Sequence, residues 1–236
     1  MKKILLTAFS AGMIGAAAYA GNQTIDYTSW TSASPIVNGN GTVGGTLTTQ
    51  GGPVSVSYSG NVAFSQINDS GTQFWTQPNP SLQPYTGNSV IANAPISPDI
   101  VALDETTAGP NTITFSQAVD NPIMLINSLG QGGVNVKYNF NQSFILLGAG
   151  QGFFGGDATS LSQPDPTTLS GNEGAGAIEF LGPVSQISWT TSGGEFWNGF
   201  TLGATDVQSV PDQFSTFSGL LGVLGSLGLW QRIRRR

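Results

Sequence analysis

The sequence predicts an all-β fold, a single β-sandwich of jelly-roll type over residues 21–209, with an apolar helix at each end of the chain. Three observations point there. Glycine and proline are abundant, 33 and 13 of 236 residues, and only 8% of the chain is charged, a balance that favours strands and turns over helices. Short segments alternate apolar and polar residues between clusters of turn formers, at the spacing of a sandwich or barrel. Nothing between residues 21 and 209 sustains a helical apolar period.

The elements follow in chain order. Residues 1–20, MKKILLTAFSAGMIGAAAYA, open with Lys2 and Lys3, run apolar over 4–18 and end in Ala18-Tyr19-Ala20. That is the basic, apolar and small-x-small layout of a secretory signal peptide, with Ala18 and Ala20 as the small residues before the bond cut by signal peptidase, between Ala20 and Gly21, and Gly21 becoming the new N-terminus. The apolar run falls short of the ~20 residues of a stable membrane span.

Strands are expected at 54–58 and 113–116, where apolar and polar residues alternate, and at 123–126, 134–140, 144–147, 177–180, 187–190 and 200–202. Turns are expected at Asn38-Gly39-Asn40-Gly41, Gly44-Gly45, Gln50-Gly51-Gly52-Pro53, Gly132-Gly133, Gly155-Gly156 and Ser192-Gly193-Gly194. Residues 78–98 hold Pro78, Pro80, Pro84, Pro95 and Pro98. Proline cannot donate to a ladder, so a long irregular connection is expected there, of the kind that carries function.

The C-terminal segment, 210–236, reads VPDQFSTFSGLLGVLGSLGLWQRIRRR. Residues 213–230 are eighteen in a row without charge; as a helix they would reach about 27 Å, slightly under a bilayer core. Arg232, Arg234, Arg235 and Arg236 follow and would hold that end on the cytoplasmic face. A permanent tail anchor is one reading of this run. Its layout also resembles the C-terminal sorting signal of PEP-CTERM bacterial exported proteins, in the VPD-type variant: Val210, Pro211 and Asp212 as the motif, Ser215 and Thr216 in the segment after it, then the Gly/Leu-rich run and the arginines. The resemblance implies cleavage near the motif by an exosortase, a membrane-embedded transpeptidase, so that the apolar run is an address that is removed. Segments of the middle, among them VSVSYSGNVAF and ISWTTSGGEFWNGFTLG, resemble a group of exported PEP-CTERM proteins with an all-β domain. That likeness implies export and fold but no activity.

Charge narrows the partners. Between residues 21 and 209 twelve acids stand against the single Lys137, a formal charge of −11. Phosphate recognition needs clustered Lys and Arg, so nucleic acid is excluded as a partner of the middle. The chain has no Cys and no His, which removes disulfides, thiolate nucleophiles, a histidine base and Cys/His metal sites.

No catalytic residue is assigned. Acid-only chemistry on polysaccharide would need paired carboxylates, and Asp104-Glu105, Asp157, Asp165, Glu173, Glu179 and Glu195 carry no spacing signature that pairs them. No cofactor is expected and no metal is assigned; calcium is the one cation that loops such as Gly155-Gly156-Asp157 or Gly171-Asn172-Glu173-Gly174 would suit, though solvated acidic loops explain them as well. Among the aromatics, Trp189 in an alternating strand and Phe196-Trp197 before the last strand read as core. Trp75 and Tyr85 flank the proline-rich connection and are the candidates for sugar-binding faces. The expectation is an exported protein of the cell envelope, surface or extracellular matrix, processed at both ends, bound to the membrane through its tail at least until cleavage, and associated with exopolysaccharide. A hydrolase or lyase working with acids alone and a lasting tail anchor are the alternatives.

Overall fold

The computed structural model describes residues 22–76, 83–104 and 109–205, residue 205 by its backbone only. Residues 1–20 and 210–236, and with them Ala18, Ala20, Val210, Pro211, Asp212 and the four C-terminal arginines, lie outside the described residues. Among those described there is no helix, in agreement with the composition.

Fifteen strands run in chain order among the described residues: β1 (Ile25–Tyr27), β2 (Ser29–Ala33), β3 (Asn40–Thr49), β4 (Gly52–Asn61), β5 (Phe64–Gln66), β6 (Ile100–Leu103), β7 (Asn111–Asp120), β8 (Ile123–Leu129), β9 (Val136–Phe140), β10 (Phe144–Gly150), β11 (Leu161–Asp165), β12 (Thr168–Gly171), β13 (Gly174–Phe180), β14 (Pro183–Ser192) and β15 (Asn198–Thr205). They form two sheets in which every strand pairing is antiparallel. One has the order β10-β13-β8-β15-β6-β5, with β1 also on β15; the other runs β11-β12-β9-β14-β7-β4-β3-β2.

The two sheets enclose the main core. Val54, Val56 and Tyr58 of β4 point inward while Ser55, Ser57 and Ser59 face water, the period-two pattern of a half-buried strand. Across from them, Met124 and Ile126 of β8, Ile178 and Phe180 of β13, and Phe200 and Leu202 of β15 fill the same cluster. Trp189 sits at its centre, with ring centroids 6.0 Å from Tyr58, 5.5 Å from Tyr138 and 5.6 Å from Phe200. Such contacts add to area burial as aromatic pairs do.

The seven-stranded sheet is apolar on both faces. All seven residues of β8 and of β13 are buried, because a second cluster lies on the outer side: Ile123, Leu125, Ala175 and Ala177 from the sheet, covered by Phe74, Trp75, Tyr85, Val90 and Ile91 from the connection between β5 and β6. This connection, 67–99, is irregular in its described parts, as its prolines require, but it is strapped down. Gln23 bridges Ile91 through Gln23 N–H to Val90 O at 2.7 Å and Ala92 N–H to Gln23 O at 2.8 Å. Asn93 accepts from Ile25 N–H at 2.7 Å and donates back to Ile25 O at 3.0 Å.

This corrects the reading of Trp75 and Tyr85. Both are fully buried, their rings edge to face at 5.5 Å, and Trp75 Nε1–H donates to Asp99 O at 3.2 Å. They seal the outer face of the sheet and offer no surface to a ligand. The reason is that an apolar outer face must be covered, and the one long connection supplies the cover.

A second correction concerns Gly41, Gly44 and Gly45, expected in turns but lying within β3. Gly45 is required by proximity: a Cβ there would stand 2.5 Å from Ser29 O and 2.9 Å from Thr28 Cγ2, where β2 bulges between Trp30 and Ser32.

Candidate functional site

At one end of the sandwich several turns converge on an open cleft of about 150 Å³. Its polar wall comes from Ser128 at the end of β8, Gln131 in the turn after it, Glu173 just before β13 and Glu195 in the connection from β14 to β15. Its apolar wall is Phe154, Phe196 and Trp197. Loops on a rigid sheet scaffold, with few polar groups among aromatic ones, are the usual composition of a binding site.

The aromatic wall belongs to a larger group. Phe153 and Phe154 occupy the tip of a tight turn closed by Gly152 N–H to Gly155 O at 2.6 Å and by Gly155 N–H to Gly152 O at 3.2 Å. Their centroids are 5.0 Å apart, and Phe154 lies 5.1 Å from Trp197. Phe74 packs beneath, 5.0 Å from Phe153 and 5.2 Å from Trp197. The turn therefore rests on the buried layer that covers the outer face, yet Phe153 and Phe154 remain 46% and 49% exposed and Phe196 82%. Solvent-facing aromatic rings clustered at a cleft are unusual enough to mark a contact surface.

The acidic wall is ordered by hydrogen bonds. Glu195 is buried; its Oε1 accepts from Gly130 N–H at 2.9 Å and from Asn198 Nδ2 at 2.5 Å. The Oδ1 of Asn198 in turn accepts from Tyr138 OH, so Glu195 is tied through β15 to the main core. Glu173 is half-buried and its Oε1 accepts from Ser128 OH; among the described residues no donor meets its Oε2. Ser128 and Glu173 both adopt the left-handed region, φ 62° each, a strained setting for residues with a Cβ that recurs at functional sites. Lys137, the single cation among the described residues, lies on β9 and does not line the cleft.

Chemically the arrangement can stack a ring on Trp197 or Phe154 and accept hydrogen bonds from it with Glu173 and Glu195, or exchange them with Gln131 and Ser128. The structure thus joins two carboxylates, Glu173 and Glu195, that no sequence spacing paired. It leaves Asp157 in a turn of its own and Asp165 at the end of β11, their carboxylates accepting from Thr159 N–H at 2.7 Å and from Thr167 and Thr168 N–H at 2.9 Å each. No group of three or more potential metal-ligating side chains occurs among the described residues. Phe196, expected in the core, is 82% exposed at the cleft instead, whereas Trp197 is half-buried against the outer cluster, 5.2 Å from Phe64 and 5.2 Å from Phe74, and lines the cleft as well. The Gly152-Phe153-Phe154-Gly155 stretch was the legible clue: two large rings at the tip of a glycine-closed turn cannot both be buried. Compared with known protein families, with curated proteins and with solved structures, the chain finds no match.

Proposed function

We propose that this chain is an exported bacterial surface or extracellular-matrix protein whose β-domain associates with exopolysaccharide at the aromatic cleft. The observation that carries the reading is the set of exposed rings, Phe153, Phe154 and Phe196, beside Trp197 on loops held by a rigid sandwich. Flat apolar faces flanked by hydrogen-bonding side chains suit the alternating apolar and hydroxylated faces of a sugar. A strongly acidic, helix-poor domain suits a hydrated matrix setting.

The fold belongs to this reading as a jelly-roll-like sandwich. The orders β6-β15-β8-β13 in one sheet and β7-β14-β9-β12 in the other support it, with successive strands crossing between sheets as in jelly rolls, a frequent architecture of lectin domains. Export through the signal peptide of residues 1–20, and sorting by an exosortase-type transpeptidase at Val210-Pro211-Asp212 before the arginines of the tail, complete the proposal.

Two measurements test it. The intact mass of protein recovered from the native cell envelope should start at Gly21 and end near the motif, and P211A/D212A should leave the tail in place; a mature form that keeps the arginines makes the protein a lasting tail anchor. Purified protein should be retained by matrix polysaccharide without shortening it, and Phe196→Ala should weaken retention. A second reading, an acid-only hydrolase or lyase, is favoured by the meeting of Glu173 and Glu195 in one cleft. Loss of polysaccharide length that Glu173→Gln abolishes would establish that reading in place of simple binding.

A further inference from the structure

The charge of the cleft narrows the sugar. Its two ionisable wall residues are both acids, Glu173 and Glu195, lining the same cleft as the rings of Phe154 and Trp197, with no basic side chain in the lining. Aromatic faces are themselves negative. A protonated amine resting on such a face and near a carboxylate gains twice, from cation–π attraction and from the ion pair. A uronate or a sulfated sugar loses on both counts, and the −11 charge of residues 21–209 repels it from a distance as well. Glu173 is the carboxylate placed to meet a ligand cation: it is half-buried, and its Oε2 has no donor among the described residues, whereas Glu195 is buried and holds Gly130 and Asn198.

Resting on the polysaccharide reading above, we infer that the cleft selects an amine-bearing glycan, a polymer containing glucosamine with free ammonium groups, with the ammonium at Glu173 and a sugar ring against Phe154 and Trp197. Phe196, the most exposed ring, contributes area to any sugar and no charge discrimination.

The test is calorimetric titration of the full-length chain with four oligomers of equal length: glucosamine, N-acetylglucosamine, glucose and a uronic acid. The glucosamine oligomer should bind about tenfold tighter than its N-acetylated counterpart, the sum of an exposed cation–π contact and a half-exposed ion pair, and the preference should shrink as salt is raised. Glu173→Gln, which keeps the length of the side chain and an oxygen for Ser128, should remove most of that preference, read as the ratio of the glucosamine to the N-acetylglucosamine affinity. Phe196→Ala should weaken all oligomers alike, and an unchanged melting temperature in each variant would exclude misfolding as the cause. Equal binding of the amine and neutral oligomers, or a preference for the uronate, overturns the inference and leaves polysaccharide association standing. A preference for the amine that survives both substitutions places it elsewhere and overturns the assignment to this cleft. Failure of every oligomer to bind removes both readings.

Discussion

Asp99 shows how one side chain joins parts that the chain keeps far apart. Its carboxylate accepts from Trp30 N–H at 3.0 Å and Asp69 N–H at 2.9 Å, while its backbone oxygen takes the Trp75 indole, so it knots β2 to the covering connection. Removing it strands a buried donor, at a cost of about 1–3 kcal/mol. Asp99→Ala should therefore lower the free energy of urea unfolding by about 2 kcal/mol. At Gly130 the constraint is backbone: φ is 74°, and a Cβ would sit 2.3 Å from Gly171 O. Gly130→Ala should cost at least ~1 kcal/mol in left-handed strain alone and should also weaken glycan retention, because Gly130 N–H anchors Glu195. Unchanged retention in a folded Gly130→Ala protein would mean that the Glu195 tether does not shape the cleft.

Among the elements, the connection 67–99 departs furthest from what a loop usually is. It is without named strands in its described parts, yet it buries Trp75, Tyr85 and Ile91 completely. A polar hinge would have needed only a few residues; this length serves to cover a sheet face. Trp75→Ala should thus behave as a core truncation and cost about 3–5 kcal/mol by thermal or urea melts, with no direct loss of glycan contact. The connection should also become the first site of limited proteolysis in that variant, since its cover over the sheet is what protects it. Destabilisation below ~1 kcal/mol, the size of an ordinary surface change, would show that the outer cluster contributes little to the fold.

Two layers of core and a chain without disulfides set the behaviour of the whole molecule. Most strand partners are distant in sequence, as with β1 on β15 and β4 on β7, so folding should take milliseconds to seconds, measurable by stopped-flow Trp fluorescence. Acid stability follows from three aspartates. Burial pushes the Asp99 carboxyl up, against the hydrogen bonds from Asp69 and Trp30; the folded state then binds a proton more readily than the unfolded one, and Asp99's contribution declines as pH rises through its raised value. Bonds from Thr159 hold Asp157 down, and bonds from Thr167 and Thr168 hold Asp165 down; their contribution is present above the usual carboxylate value and is lost as pH falls through the lowered ones. Stability should accordingly rise slightly on mild acidification and fall on stronger acidification. In Asp99→Ala the rise should disappear and the deficit relative to the parent should be largest on the acid side; a deficit independent of pH would refute the assignment.

Local pattern was enough for the all-β class and for eight strands, including β4, β7 and β14, because alternation with period two is a property of consecutive residues. The absence of helix among the described residues and the irregularity of the described parts of the proline-rich connection were legible for the same reason. Strands such as β3 and β12 were not, since glycines that look like turns serve there as clearance for a neighbouring backbone, and clearance is a relation between distant residues. The exposure of Trp75 and Tyr85 against that of Phe196 was reversed for a related reason: nothing in their neighbours in sequence says which sheet face is left bare and which turn is tied down by Glu195. The pairing of Glu173 with Glu195 likewise exists only because β8, β13 and β15 lie side by side. Composition and periodicity act along the chain and so set the strands, the charge and the excluded chemistries; burial and the cleft arise from contacts across it, and these form only when the sheets close.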